Sequence, residues 1–190
     1  FVVFFAIAGR LGTDALAAST VLLNVVLICV LPGLGMGLAG ASLVGQSLGR
    51  GDTRDARRWG WQVAGLGAAT MAGLGLVVAL GARTWLGVFI TDSPATLELA
   101  VAPLMIMGLT QLLDPVVMTN ILTGVGDTVA TLVISIFAQW VLLLPGAYVV
   151  AVTMGGGIVG LWSAMVGYRV VCLGLVMGRF HRGAWAARAV

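Results

Sequence analysis

The chain has 190 residues, of which 60% are hydrophobic and only 9% charged, and its mean hydropathy is +1.10. An ordinary soluble domain is about a quarter charged, so this composition leaves too little to solvate a water-facing surface and excludes a soluble enzyme or binding domain. The net charge is +3 and all ten cations are arginines, but they sit in short segments between apolar stretches, which excludes a basic groove for nucleic acid.

The charges are segregated along the chain. None lies between Asp14 and Arg50, between Arg58 and Arg83, or between Asp127 and Arg169. Each gap exceeds the roughly 20 residues that cross a hydrocarbon core about 30 Å thick. The fold class that follows is an all-α, polytopic membrane protein whose first partner is the lipid bilayer.

In chain order, residues 1–9 read as the end of a helix whose beginning lies upstream, and residues 10–14 as a short turn. Residues 15–47 form a span with Pro32-Gly33 at its middle; it is longer than the core requires, so a kink or tilt is expected. Residues 49–58 form a polar loop, with Asp52 placed to cap the next helix and Asp55 in its first turn. That helix runs over 56–81, and residues 83–96, with Asp92-Ser93-Pro94, read as a loop. A span over 96–122 is interrupted by Asp114-Pro115. A tight turn at 124–128 precedes spans over 129–152 and 158–178, which Gly155-Gly156-Gly157 separates. A basic tail, 179–190, follows. Cys29 and Cys172 both fall inside apolar stretches, which argues against a disulfide.

Alternating helix direction puts the 50–58 loop, the turn at Asp127 and the tail on one side. That side collects Arg50, Arg54, Arg57, Arg58, Arg179, Arg182 and Arg188; the other has Arg10 and Arg83 with Asp14, Asp92 and Glu98. Arginine excess marks the cytoplasmic face, so the tail is expected in the cytoplasm and the protein in the plasma membrane. Small residues recur every fourth position at Gly33, Gly37, Ala41, Gly45 and Gly49, and again at Gly60, Ala64, Ala68 and Ala72. This spacing lets helix backbones approach closely in lipid.

Asp114 is the one acid well inside a span. A carboxylate at that depth costs about 2.5–3.5 kcal/mol by insertion scales, so it faces a cavity, a partner or a cation. Gln111 is three residues earlier, and Met107 and Met118 share the same face of a continuous helix. Methionine suits a promiscuous site because it is flexible and polarisable, and Pro115 frees a backbone carbonyl that could ligate a cation. Asp114 and Gln111 are therefore candidates for a cation site, and Met107, Met118, Asn120 and Gln139 for the lining of a substrate cavity. The amides Asn24, Gln46, Gln62, Asn120 and Gln139 also suit hydrogen bonds between helices. Arg169, within the last span, either pairs with an acid or snorkels to the surface. Apart from Na⁺ at Asp114 no metal is expected, nor any cofactor. The chain shows no phosphate loop and no nucleophile–base pair, so it does not read as an enzyme.

Three segments carry a family resemblance. Residues 10–18, Arg-Leu-Gly-Thr-Asp-Ala-Leu-Ala-Ala, the loop from Gly45-Gln46 through Gly49-Arg50-Gly51 to Ala56-Arg57, and Leu122-Thr-Gly-Val-Gly-Asp-Thr128 resemble, in order and spacing, segments of the multidrug and toxic compound extrusion (MATE) family. The resemblance implies a twelve-helix transporter of two six-helix lobes working by alternating access. This chain would be the C-terminal lobe, helices seven (partial) to twelve, and its partner a missing N-terminal lobe. The family's activity would be antiport of small organic compounds against H⁺ or Na⁺. In several members an acid three residues after a Gln in the tenth helix belongs to the cation site, which Gln111-Leu-Leu-Asp114 matches. Thr123 stands where the family's turn usually has Arg. A lipid-linked precursor flippase of the same superfamily and a non-transporting membrane scaffold are the alternatives.

Overall fold

The computed structural model describes residues 2–91, 93–183 and 185 and, among them, is all-α with no strand. Asp92 and Arg188, two of the charges used to assign sidedness, lie outside the described residues, as do residues 184 and 186–190 of the basic tail.

The helices are α1 (Val2–Arg10), α2 (Thr13–Gly49), α3 (Thr53–Leu80), α4 (Ala82–Phe89), α5 (Pro94–Leu109), α6 (Val116–Gly124), α7 (Thr128–Phe137), α8 (Leu144–Tyr148) and α9 (Gly157–Arg182). α2, α3, α9 and the run Thr128–Thr153 that contains α7 and α8 are each long and apolar enough to cross a membrane. α5 and α6 together make a further, broken span bent by 55°. The chain is a multi-pass membrane protein.

Proline marks the irregular places. α2 continues through Pro32 without a break, since one lost amide donor is tolerated within a long helix packed by its neighbours. Pro145, in the first turn of α8, follows a π-helical turn over Ala138–Leu143, and a second such turn over Val149–Thr153 ends the span. A widened turn absorbs the ring and the missing donor.

Residues 83–96, expected as a loop, are corrected in part: Ala82–Phe89 is a two-turn helix. Ala82 and Leu86 are four residues apart and both buried, while Val88 and Phe89 face outward. The apolar side of this short helix is fixed by burial rather than by length.

Contacts at the two ends of the bundle match alternating helix direction. At one end Asp52 caps α3 by accepting the Asp55 amide at 2.9 Å, and the Asp55 carboxylate takes the Ser47 hydroxyl at 2.8 Å and Arg50 at 3.0 Å. Arg57 donates to the His181 carbonyl at 3.0 Å, and Arg179 grips Asp127 with two bonds of 2.7 and 3.0 Å. At the opposite end Thr96 donates to Asp14 at 3.1 Å and Arg83 pairs with Glu98 at 2.9 Å.

Close packing follows a different stripe from the one read in the sequence. Gly37 of α2 lies against α6, where a Cβ would sit 2.6 Å from that of Asn120, but Gly45 and Gly49 have nothing near. On α3 the buried face is Gly60, Val63, Gly67, Met71 and Gly75, not Gly60, Ala64, Ala68 and Ala72. A strict four-residue step drifts about 40° around the helix each time, whereas mixed steps of three and four stay on one face. The core forms two apolar clusters. One includes Leu104, Met107, Trp162 and Met165; the other includes Val117, Ile121, Cys172 and Phe180. Between them, on both the α5–α6 span and α9, lies a polar layer.

Candidate functional site

The polar layer is built by a helix break. A residue before proline is driven out of the α region, and Asp114 is extended, with φ −69° and ψ 124°. α5 therefore ends at Leu109, Gln111–Leu113 makes one 3-10 turn, and α6 starts after Pro115. The carbonyl that Pro115 cannot serve, that of Gln111, is taken by the Asp114 amide at 3.1 Å. The freed carbonyl expected as a cation ligand is thus satisfied within the turn. Asp114 Oδ1 accepts the Val116 amide at 3.0 Å, satisfying one of the donors left over at the start of α6.

The second carboxylate oxygen faces α9. Arg169 Nη2 lies 3.2 Å from Asp114 Oδ2, with only 6% and 9% of the two side chains exposed. The same guanidinium donates through Nη1 to Gln111 Oε1 at 3.1 Å. Two buried charges are thus paired and also hydrogen-bonded, the condition under which an ion pair survives in low dielectric. Gln111 is itself buried, and its Nε2 has no hydrogen-bond partner among the described residues.

Of the two alternatives for Arg169, the structure takes pairing with an acid. The signal is in the α9 sequence. Trp162, Met165, Arg169, Cys172 and Val176 recur at three- and four-residue steps and are all buried, so Arg169 occupies a core position of an otherwise apolar stripe.

Two cavities of about 290 Å³ each meet at Asp114. The first is bordered by Met107, Asn120, Trp162, Tyr168 and Arg169 as well as Asp114. The second is bordered by Trp61, Met71, Leu113 and Met118. Each is just below the usual size of a small-molecule pocket, about 300–1,000 Å³. Met107 and Met118 do not share a face as they would on a continuous helix, because the break turns them into different cavities. Gln139 borders neither, and Gln111 lies beneath Arg169 instead of on a cavity wall. Asn120 and Gln46 bond within their own helices, to the Val116 carbonyl at 2.8 Å and to Ser42 at 3.1 Å, rather than across helices. Among the described residues no three His, Cys, Asp or Glu side chains converge on a metal position. The oxygens that could hold a Na⁺ are Asp114 Oδ2 and Gln111 Oε1.

The sequence profile described as MatE matches residues 1–149. Similar proteins include the probable multidrug resistance protein NorM of Brucella suis biovar 1 (strain 1330), 32% identical over 83% of this chain and 35% of that protein. Another is its namesake in Rhodopseudomonas palustris (strain ATCC BAA-98 / CGA009), 34% identical over 88% of this chain and 36% of that one. A solved structure described as the inward-facing conformation of a multidrug resistance MATE family transporter of the MOP superfamily superposes with a TM-score of 0.78. It is 17% identical, over 92% of this chain and 41% of that chain, and shows the shared fold. The chain thus spans little more than a third of the curated relatives it matches. With the profile covering most of its length, the chain belongs to the MATE family of membrane transporters.

Proposed function

We propose that this chain is one lobe of a secondary antiporter that exports drug-like or otherwise toxic organic compounds across the plasma membrane in exchange for H⁺ or Na⁺. The observation that carries the reading is a buried carboxylate, Asp114, that lies at a helix break and borders two cavities. A group so placed is reached from either cavity, and breaks of this kind in membrane helices expose groups for ion binding. The names of the relatives, multidrug resistance protein NorM, point to the same class of cargo. The apolar first cavity, with Trp162, Tyr168 and Met107 on its walls, suits an amphipathic organic cation more than a sugar or phosphate. A flippase for lipid-linked pyrophosphates needs several basic groups open to an anion, and among the described residues the first cavity has only Arg169, which is paired with Asp114 in this conformation. The Arg-rich end, with the tail, lies on the cytoplasmic side in this reading, and a second lobe supplies the remaining length of the relatives.

The test is efflux of an organic cation such as ethidium from proteoliposomes under an imposed H⁺ or Na⁺ gradient. Asp114→Asn is expected to abolish the gradient dependence. Efflux that still follows the gradient would refute the assignment.

A further inference from the structure

The guanidinium of Arg169 sits on the same two oxygens, Asp114 Oδ2 at 3.2 Å and Gln111 Oε1 at 3.1 Å, that are available to a coupling cation. We propose that Arg169 is a tethered competitor of that cation: it fills the cation's seat in this conformation and is released into the first cavity when the cation binds. The inference rests on the role given to Asp114 above and adds the regulation of that site.

The geometry supports competition rather than cooperation. Asp114 Oδ1 is held by the Val116 amide, so Oδ2 is the oxygen left for a cation, and Arg169 covers it. Gln111 Oε1 likewise accepts from Arg169, which leaves its Nε2 without a hydrogen-bond partner in a buried place among the described residues. Arg169 also has somewhere to go. It borders the first cavity together with Tyr168, Thr119, Asn120 and Ser135, whose side-chain oxygens and one aromatic ring suit a guanidinium displaced from a carboxylate. The other ionisable groups on that cavity wall are Tyr168 and Cys172, neither of them an acid that would hold the freed cation.

The displacement has a consequence for transport. Cation binding at Asp114 leaves the positive charge of Arg169 in a cavity of about 290 Å³, where it repels an organic cation and takes up its space. One acid then serves one cation at a time, and the arrival of the coupling ion drives the cargo out.

The experiment uses the whole protein in liposomes and measures the half-saturating concentration of the coupling cation for ethidium efflux. In Arg169→Gln it is expected to fall at least about tenfold, since an opposing charge within contact distance of a carboxylate shifts ion affinity by that much or more. Arg169→Lys keeps the charge but cannot span both oxygens, so a fall in the same direction and smaller in size is expected. Should Arg169→Gln fail to accumulate in the membrane, the Lys variant alone decides. A half-saturation unchanged from wild type in the variants that fold, while Asp114→Asn is uncoupled, overturns the role of Arg169 alone. Gradient-driven efflux surviving in Asp114→Asn overturns the coupling site as well.

Discussion

Two glycines of α3, Gly75 and Gly73, separate the contact that seats the polar layer from ordinary helix propensity. A Cβ built on Gly75 would stand 2.6 Å from that of Gln111 and closer still to the Gly108 carbonyl oxygen, while a Cβ on Gly73 meets nothing within 4 Å. Ordinary carbon contacts need about 3.5–4.0 Å, so in Gly75→Ala the start of the α5–α6 break has to retreat by roughly 1 Å. Overpacking of that size costs about 1–3 kcal/mol. Gly73→Ala removes a glycine from a helix interior with no clash and is expected to be neutral or to stabilise by up to about 1 kcal/mol. The assay is the apparent melting temperature of the detergent-solubilised protein, paired with the half-saturating cation concentration in liposomes. Gly75→Ala should melt lower than Gly73→Ala, and should also shift half-saturation, because Gln111 moves from beneath Arg169. Equal melting of the two variants would refute the packing argument. A lower melting point with unchanged half-saturation would detach α3 from the site.

Other expectations follow from the contacts. The Asp127–Arg179 pair is bidentate, with Asp127 fully buried and Arg179 about a quarter exposed; a double-mutant cycle of Asp127→Asn and Arg179→Met by thermal unfolding should give a coupling of about 1–3 kcal/mol. The Arg83–Glu98 pair is mostly solvent-facing on both sides, so Glu98→Gln should leave stability within about 0.5 kcal/mol, and a larger loss would contradict its exposed placement. Trp162 is fully buried against Phe4, edge to face at 5.6 Å, so Trp162→Ala should destabilise by about 3–5 kcal/mol, read as loss of folded protein.

Much of the bundle is written in charge placement, because lipid leaves a chain few options: the long gaps between charges set the spans, and Asp52 and Asp127 mark the turns. What the sequence hid are features decided by contacts between helices. The α4 helix rests on Ala82 and Leu86 finding a buried surface, which eight residues cannot announce. The packing face of α3 runs through Gly67 and Gly75 because those positions meet Val117 and Gly108, and a count of every fourth small residue cannot see the partner. Asp114 stood out alone in an apolar span. Its neighbours were harder to assign, since placing Met107 and Met118 on one face assumes a helix that Pro115 breaks. Arg169 was legible by one route, its step in the Trp162–Val176 stripe, but the acid it meets is 55 residues away in sequence.

The break and the ion pair are connected energetically. A lone carboxylate at this depth carries a desolvation cost of several kcal/mol that neither apolar cluster can offset, whereas a displaced Arg169 opens onto a cavity wall that carries the side-chain oxygens of Thr119, Asn120, Ser135 and Tyr168. Asp114 is spared it only while Oδ1 holds the Val116 amide and Oδ2 holds a positive charge, so its extended backbone before Pro115 and its charged partner stabilise each other. The partner can be exchanged but not omitted. In the coupling proposed above, a state in which Arg169 has left Asp114 is populated only if another cation has arrived, and a state in which that cation has left only if Arg169 has returned. An ungated leak through Asp114 needs a bare buried carboxylate, and this arrangement makes that state the costly one.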